Sequence, residues 1–320
     1  MSGLGIIATV TAAAGAVAAV LLEWLIGAER VVLRMPPTSR TVVRWRPVLV
    51  TVTLTALVTA LVWCEVHHLC LDTPEVRPSS SGFYYRVAYH AVLVGLLVLA
   101  TTIDFDCFLI PDIITLPGIA VGLIAAVTFQ EVQIAHLWVD WAYAVPQLHG
   151  PLIPAWYDQV RWAHALAWSG AGLVAGMALT QAVRLISSRV LQMEAMGFGD
   201  VTLMGMIGSF LGWQAVLVTF LIAPLVGLIA VIIAKLMANH RILPYGPFLS
   251  AGAVLTLFFW SRLWSATRMI FSDLVGLAMI LAAALALLVL LLGAIRFYRN
   301  IPTGRSLPPA NETEAETPPE

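Results

Sequence analysis

Long uninterrupted apolar runs are the feature that most limits what this chain can fold into. They recur almost to the C-terminus, and 60% of the 320 residues are hydrophobic while only 11% are charged. A soluble domain carries about 25% charged residues, and barrel strands would be short and alternating. Continuous runs of about 20 apolar residues are typical of membrane-spanning helices. The sequence therefore predicts an all-α, polytopic transmembrane bundle.

The apolar runs predict about eight to nine spans. The boundary between the sixth and the seventh, at residues 212–214, is the least secure because the sixth run is short. The first run lacks a basic segment before it and is longer than a signal-peptide core, so we expect it to be a retained span. The candidate spans are residues 5–27, 47–64, 87–103, 112–129, 165–183, 201–214, 215–236, 246–260 and 275–295.

Basic residues indicate how the bundle is oriented in the bilayer. With the N-terminus outside, the inner loops hold most of the 17 Lys and Arg residues. The positive-inside rule then predicts a multi-pass protein of a bacterial inner membrane, with the N-terminus outside and the C-terminus in the cytoplasm. A net charge of −1, with the basic residues scattered among loops, gives no face suited to nucleic acid.

Two short acidic motifs stand at the edges of apolar segments. The first, at residues 103–112, reads Ile-Asp-Phe-Asp-Cys-Phe-Leu-Ile-Pro-Asp, and the second, at 196–200, reads Met-Gly-Phe-Gly-Asp. A carboxylate at the lipid boundary is costly unless it has a partner or a function. Both motifs fall on the predicted inner face, so Asp104 and Asp200 are candidates for one site. Two carboxylates that share a site can hold one proton between them, which suits general acid–base chemistry.

Each motif also has a structural interpretation. Gly197 and Gly199 permit close main-chain approach to a substrate, but they could be ordinary loop glycines with Asp200 as a helix N-cap. Asp112 is well placed as an N-cap at the start of the next span, with a supporting role in the site as the second interpretation. Asp106 is expected to be solvated.

The motifs resemble those of type IV prepilin peptidases, which are GxGD-type aspartic intramembrane proteases. The similarity extends to the Pro-Tyr-Gly-Pro-Phe-Leu run at 244–249 and to the N-terminal boundary at 27–36, and it covers most of the chain up to about residue 260. The resemblance implies removal of the leader peptide from a prepilin or a type II secretion pseudopilin at the cytoplasmic face. It implies no metal and no cofactor; the expected partners are the substrate helix and the lipid bilayer.

The resemblance also implies roles for individual residues. Asp104 and Asp200 match the catalytic pair and would share the roles of acid and base. The supporting residues are Gly197, Gly199, Asp112 and Glu194. On this basis the chain divides into an N-terminal membrane region with a shortened cytoplasmic loop, a peptidase core, an extra C-terminal span and a disordered cytoplasmic tail. These regions are residues 1–86, 87–260, 261–300 and 301–320.

Three departures from the family pattern are visible. Many members also N-methylate the new terminus and carry two Cys-x-x-Cys pairs in the first cytoplasmic loop, whereas the loop at 30–46 has no cysteine. A tetrahedral zinc site needs four thiolate or imidazole ligands, so methyl transfer is not expected. Thr202 stands where the family often has Lys, and the ninth span lies outside the pattern.

Other interpretations remain open at this point. The carboxylates could form the relay of a proton-coupled transporter, or the chain could be an inactive homologue. On the outer side, a cluster could bind a metal, form a Cys64–Cys70 disulfide, or hold two unpaired cysteines. This cluster consists of Cys64, Glu65, His67, His68 and Cys70.

Overall fold

The computed structural model describes residues 26–27, 40–139, 156–194, 196–237 and 243–299. Within these ranges the chain is helical and contains no strand. The helices are α1 (Arg40–His68), α2 (Ser80–Cys107), α3 (Asp112–Phe129), α4 (Trp156–Gln159), α5 (Arg161–Leu191), α6 (Phe198–Leu236), α7 (Gly246–Ser272) and α8 (Leu274–Arg299). Seven of these, all but α4, are long and apolar enough to cross a membrane. The predicted helical, multi-span bundle is thereby confirmed.

Nearly all of the first predicted span, the loop that follows it to residue 39, and the predicted tail at 301–320 lie outside the described residues. The predicted span at 112–129 has the same bounds as α3, whereas the helices at the spans predicted for 47–64, 87–103, 165–183, 246–260 and 275–295 are longer than their apolar runs. The helix α2, for example, begins at Ser80, because Ser79 caps it by accepting a 3.1 Å hydrogen bond from the Gly82 N–H. Arg86, which lies just before the predicted span at 87–103, is therefore a buried residue of α2.

The predicted sixth and seventh spans are the two arms of α6, which reverses direction at Gly212. This glycine has φ 79° and ψ 170°, which is not helical. In a straight helix, Met204 and Val216 would lie about 18 Å apart. A Cβ added at Gly176 of α5 would nevertheless meet the main chain of Met204 and stand 3.3 Å from the Val216 side chain. Both arms therefore pack on one face of α5 and run antiparallel to each other.

Small residues bring the first arm of α6 into main-chain contact with α5. A Cβ added at Gly172 would overlap the carbonyl oxygen of Gly208, and a Cβ added at Gly208 would overlap that of Gly172. Helices in lipid associate through such close packing. The first arm, which begins with the second acidic motif, is consequently held at the centre of the bundle, and its residues from Asp200 to Gly212 are buried.

The end of the bundle that holds the Gly212 reversal, the α1–α2 connection and residues 130–139 is called the opposite end below. There Trp213 Nε1 donates a 2.7 Å hydrogen bond to the Leu137 carbonyl, and Gln214 Nε2 donates one of 2.8 Å to the His136 carbonyl. These bonds fix the reversal against the segment that follows α3.

A buried ion cluster stabilises the opposite end. The Arg86 guanidinium pairs with the carboxylates of both Glu65 and Asp72, and Glu65 also accepts a 2.9 Å hydrogen bond from the Leu71 N–H. Cys70 is a free thiol whose pKa is raised by burial, and Cys64 is free as well. Among the described residues, no group of three or more His, Cys, Asp and Glu side chains could hold a metal ion. The open question about this cluster is thus resolved in favour of unpaired cysteines.

Candidate active site

Asp104 lies in the last turn of α2 and is only 5% exposed. The helix ends three residues later, where Phe108 adopts a left-handed conformation (φ 52°) and donates its N–H to the Asp104 carbonyl. The side chain of Asp104 accepts a 3.1 Å hydrogen bond from the main-chain N–H of Gly246 at the start of α7. A buried carboxylate needs such a donor, so α7 contributes directly to the surroundings of the first aspartate.

Asp200 is the third residue of α6 and is 8% exposed. Gly197, not Asp200, occupies the N-cap position, so the N-cap alternative for Asp200 is wrong. The Asp200 carboxylate instead turns back towards Gly197, and a Cβ added at that glycine would stand 3.9 Å from its Oδ2. Free N–H groups in the first turn of a helix favour a negative charge at this point.

The two motifs meet through a close main-chain contact. A Cβ added at Gly199 would stand 3.0 Å from both the Cβ and the carbonyl oxygen of Ile110. A Cβ added at Gly246 would stand 2.5 Å from a carboxylate oxygen of Asp104 and 2.8 Å from Ile110 Cδ1. Ile110 of the first motif therefore packs between two glycines, one from each of the other segments that form the site.

This packing places the carboxylates of Asp104 and Asp200, called the aspartate pair below, close enough to interact electrostatically. The end of the bundle that holds the pair is called the aspartate end. Two acids in one buried site favour a shared proton, because full ionisation of both would bring two negative charges together. Such a pair can take a proton from water at one carboxylate and deliver one from the other.

Tyr245 is a site residue that the sequence reasoning did not single out. It is half-buried, immediately precedes Gly246, and interacts electrostatically with Asp200. Burial, with a further contribution from the negative charge of Asp200, raises its pKa to about 12. Its hydroxyl thus stays protonated beside the aspartate pair. The signal that could have indicated this residue was the run at 244–249, which was used only for the family resemblance.

Asp112 does not occupy the N-cap position that was expected for it. Pro111 holds that position without a side-chain cap, and Asp112 is the exposed first residue of α3. The Asp112 Oδ1 lies 3.5 Å from the Thr202 hydroxyl. The same hydroxyl lies 3.0 Å from the Gly199 carbonyl and accepts a 3.2 Å hydrogen bond from Thr115 Oγ1. Asp112 is therefore linked to the second motif through Thr202, the residue found where the family often has Lys.

Two further acids belong to or adjoin the predicted motifs: Asp106 lies within the first motif, and Glu194 lies just before the second. The expectation that Asp106 is solvated is wrong, because Arg46 of α1 pairs with it at 3.1 Å and the carboxylate is largely buried. Sequence reasoning missed this pair because the partner lies 60 residues away. Glu194 is exposed in the turn before α6.

The fold and these motifs define a multi-pass helical membrane protein with two buried aspartates at one end. Residues 91–232 match the model of the type IV leader peptidase family, and this match confirms the resemblance to type IV prepilin peptidases over that segment. The segment contains both aspartates and both arms of α6 up to residue 232.

Curated relatives agree with the family match. The chain is 30% identical over 169 residues to a prepilin leader peptidase/N-methyltransferase of Aeromonas salmonicida, covering 52% of this chain and 47% of that protein. It is 31% identical over 143 residues to the type 4 prepilin-like proteins leader peptide-processing enzyme of an Escherichia coli strain, covering 44% and 52% respectively. The chain thus spans about half the length of the curated relatives it matches. No solved structure matches it.

Proposed function

We propose that this protein is a membrane aspartic endopeptidase that removes the leader peptide from type IV prepilins or type II secretion pseudopilins. The observation that carries the proposal is the buried aspartate pair, assembled from two distant motifs in a segment that matches the leader peptidase family. The names of the relatives, which refer to prepilins and prepilin-like proteins, support this substrate class. The distribution of basic residues supports cleavage at the cytoplasmic face of a bacterial inner membrane.

The reaction needs only water and the two carboxylates. One carboxylate, ionised, takes a proton from water as the water oxygen bonds to the scissile carbonyl carbon. The other, protonated, donates its proton to the carbonyl oxygen and so stabilises the tetrahedral intermediate. When the C–N bond breaks, the leaving nitrogen takes the proton that the first carboxylate gained from water. A hydroxyl group of the intermediate returns its proton to the second carboxylate as the carbonyl re-forms, so the pair is again singly protonated. Gly246 N–H holds Asp104 in place throughout.

Methyl transfer is not part of the proposed function. The Aeromonas salmonicida relative carries N-methyltransferase in its name, but the loop at 30–46 of this chain has no cysteine. A mass measurement of the processed substrate tests this point. A methylated terminus is about 14 Da heavier than an unmethylated one, because methylation adds one CH₂ group. An unmethylated product is expected.

The test of the peptidase function is leader removal from a coexpressed prepilin by Asp104→Asn and Asp200→Asn variants. Each variant keeps the side-chain size but cannot exchange a proton, so processing is expected to fall at least about 100-fold. Asp273→Asn is the control: it makes the same chemical change between α7 and α8, where the side-chain oxygen accepts hydrogen bonds from the Val275 and Gly276 N–H groups, and it should retain most of the processing. Wild-type processing by either Asn variant, at equal protein level, would refute the aspartic mechanism.

A further inference from the structure

A groove opens sideways beside the aspartate end, between α1, α2 and α7. It encloses a cavity of about 1070 Å³. The floor is formed by α2, and the walls are formed by α1 and α7. The lining is mainly apolar and includes Leu49 and Thr53 of α1, Leu97 and Thr101 of α2, and Ala251 and Leu255 of α7. A groove with such walls suits an apolar occupant.

The two walls diverge from the opposite end towards the aspartate end. At the opposite end they are joined, because the Cys64 thiol contacts the Phe258 carbonyl at 3.9 Å and the Ser261 N–H donates a 2.9 Å hydrogen bond to the Cys70 carbonyl. Nearer the aspartates, the cavity separates α1 from α7. The groove is therefore closed towards the opposite end and extends from there towards the candidate active site.

The groove lies beside the aspartate pair and is lined by residues adjacent to it in sequence. Phe105 and Asp106, which line it, directly follow Asp104, and Pro247 directly follows Gly246. Along α1 the lining extends from residue 45 to residue 57, which corresponds to about 18 Å of helix at 1.5 Å per residue. An occupant that enters beside the aspartates can thus extend about 12 helical residues along the groove.

One buried polar group in the groove has no partner within the described part of the chain. Ser250 is 4% exposed, and its Oγ makes no hydrogen bond there. It lies one helical turn after Gly246, whose N–H binds Asp104. A buried hydroxyl without a partner is unfavourable, so an occupant that supplies a donor or an acceptor at this height would satisfy it.

We infer that this groove binds the apolar α-helix of the substrate on the C-terminal side of the scissile bond, with the helix N-terminus at the aspartate pair. The inference rests on the proposed function and specifies where that substrate lies. The first N–H groups of a helix have no partner within the helix and carry a partial positive charge. In the groove they lie near Ser250 Oγ and beside the segment that carries Asp104, while the apolar side chains contact the walls.

Photo-crosslinking in membranes tests the inference. p-Benzoylphenylalanine replaces Thr53 or Leu255, two exposed residues on opposite rims of the groove, in the Asp104→Asn background, which retains substrate. Leu228→p-benzoylphenylalanine is the matched control, since Leu228 is an exposed apolar residue of α6 that does not line the groove. A membrane-inserted prepilin is the probe. Adducts at both rim positions, at least fivefold above the control, are expected, and they should map to the apolar helix of the prepilin.

Two outcomes would overturn the inference: adducts no more frequent at the rims than at Leu228, or adducts confined to the leader. Either result would indicate that lipid or another segment occupies the groove. Cleavage is measured separately, in the same variants with Asp104 intact. Cleavage without rim adducts would reject the groove and keep the peptidase, whereas rim adducts without cleavage by the wild-type chain would reject the peptidase and keep the groove.

Discussion

The two ends of the bundle bury carboxylates in opposite ways. At the opposite end, Glu65 is compensated by the guanidinium of Arg86, which also pairs with Asp72. At the aspartate end, Asp104 accepts a main-chain hydrogen bond from Gly246 and lies close enough to Asp200 to interact electrostatically, and within the described residues neither aspartate is paired with a cation. A paired buried charge contributes to folding, because removal of one partner strands the other. The aspartate pair remains free to exchange a proton, which is what acid–base chemistry requires.

The largest effects are expected when one acid at each end is neutralised. Glu65→Ala leaves the buried Arg86 guanidinium with Asp72 as a remaining partner and leaves the Leu71 N–H without its acceptor, so the expected cost is about 1–3 kcal/mol of folding stability and a lower level of folded protein. Asp200→Asn should accumulate normally and lose at least about 100-fold in cleavage. Membrane protein level by immunoblot and thermal stability in detergent separate the two effects. Equal accumulation of both variants would show that the ion cluster is dispensable.

Substitution of the two glycines of the second motif tests whether close packing at the aspartate end is needed for cleavage. Gly199→Ala places a methyl group 3.0 Å from Ile110, so the two motifs must separate by some tenths of an ångström. Cleavage is expected to fall about tenfold to 100-fold, since small displacements of catalytic groups have large effects on rate. Gly197→Ala is the control, because its nearest neighbour would be 3.9 Å away. Prepilin processing rates should rank wild type, then Gly197→Ala, then Gly199→Ala; an inverted order would contradict the packing argument.

The smallest expected effect concerns pH and Tyr245. Its pKa is raised to about 12 in the folded protein, against about 10 in an unfolded chain, because burial disfavours the phenolate. A raised pKa adds stability that is fully present below pH 10 and is lost as pH rises from 10 to 12. Tyr245→Phe should remove this alkaline component. Thermal unfolding in detergent between pH 9 and 12 measures it, and an identical alkaline decline in both proteins would show that other groups cause it.

Some features could be predicted from local sequence. The long apolar runs predict spans because a helix in lipid must bury its own main-chain polar groups, whatever its neighbours are. The two acidic motifs stand out because acids are rare in such runs. Even the division of α6 at 212–214 could be anticipated, although the apolar run alone would not show that the two arms fold back on each other at Gly212.

Other features depended on contacts between distant residues. The partner of Asp106 is Arg46, and the donor to Asp104 is Gly246, 142 residues farther along the chain. No local pattern specifies either partner. Local sequence also failed to predict the position of Asp112. The neighbouring Pro111 occupies the N-cap position of α3, and the Asp112 side chain lies 3.5 Å from the Thr202 hydroxyl.

The sequence by itself determined that this chain is a helical membrane protein with two acidic motifs of the leader peptidase type, because hydropathy and motif spacing are properties of short segments. The tertiary structure was needed to show that Asp104 and Asp200 come close enough to interact, that Gly199 and Gly246 pack against Ile110, and that a groove lies beside them. These outcomes depend on how glycine-lined helices pack across the bundle. That packing is set by contacts between segments that are far apart in the chain.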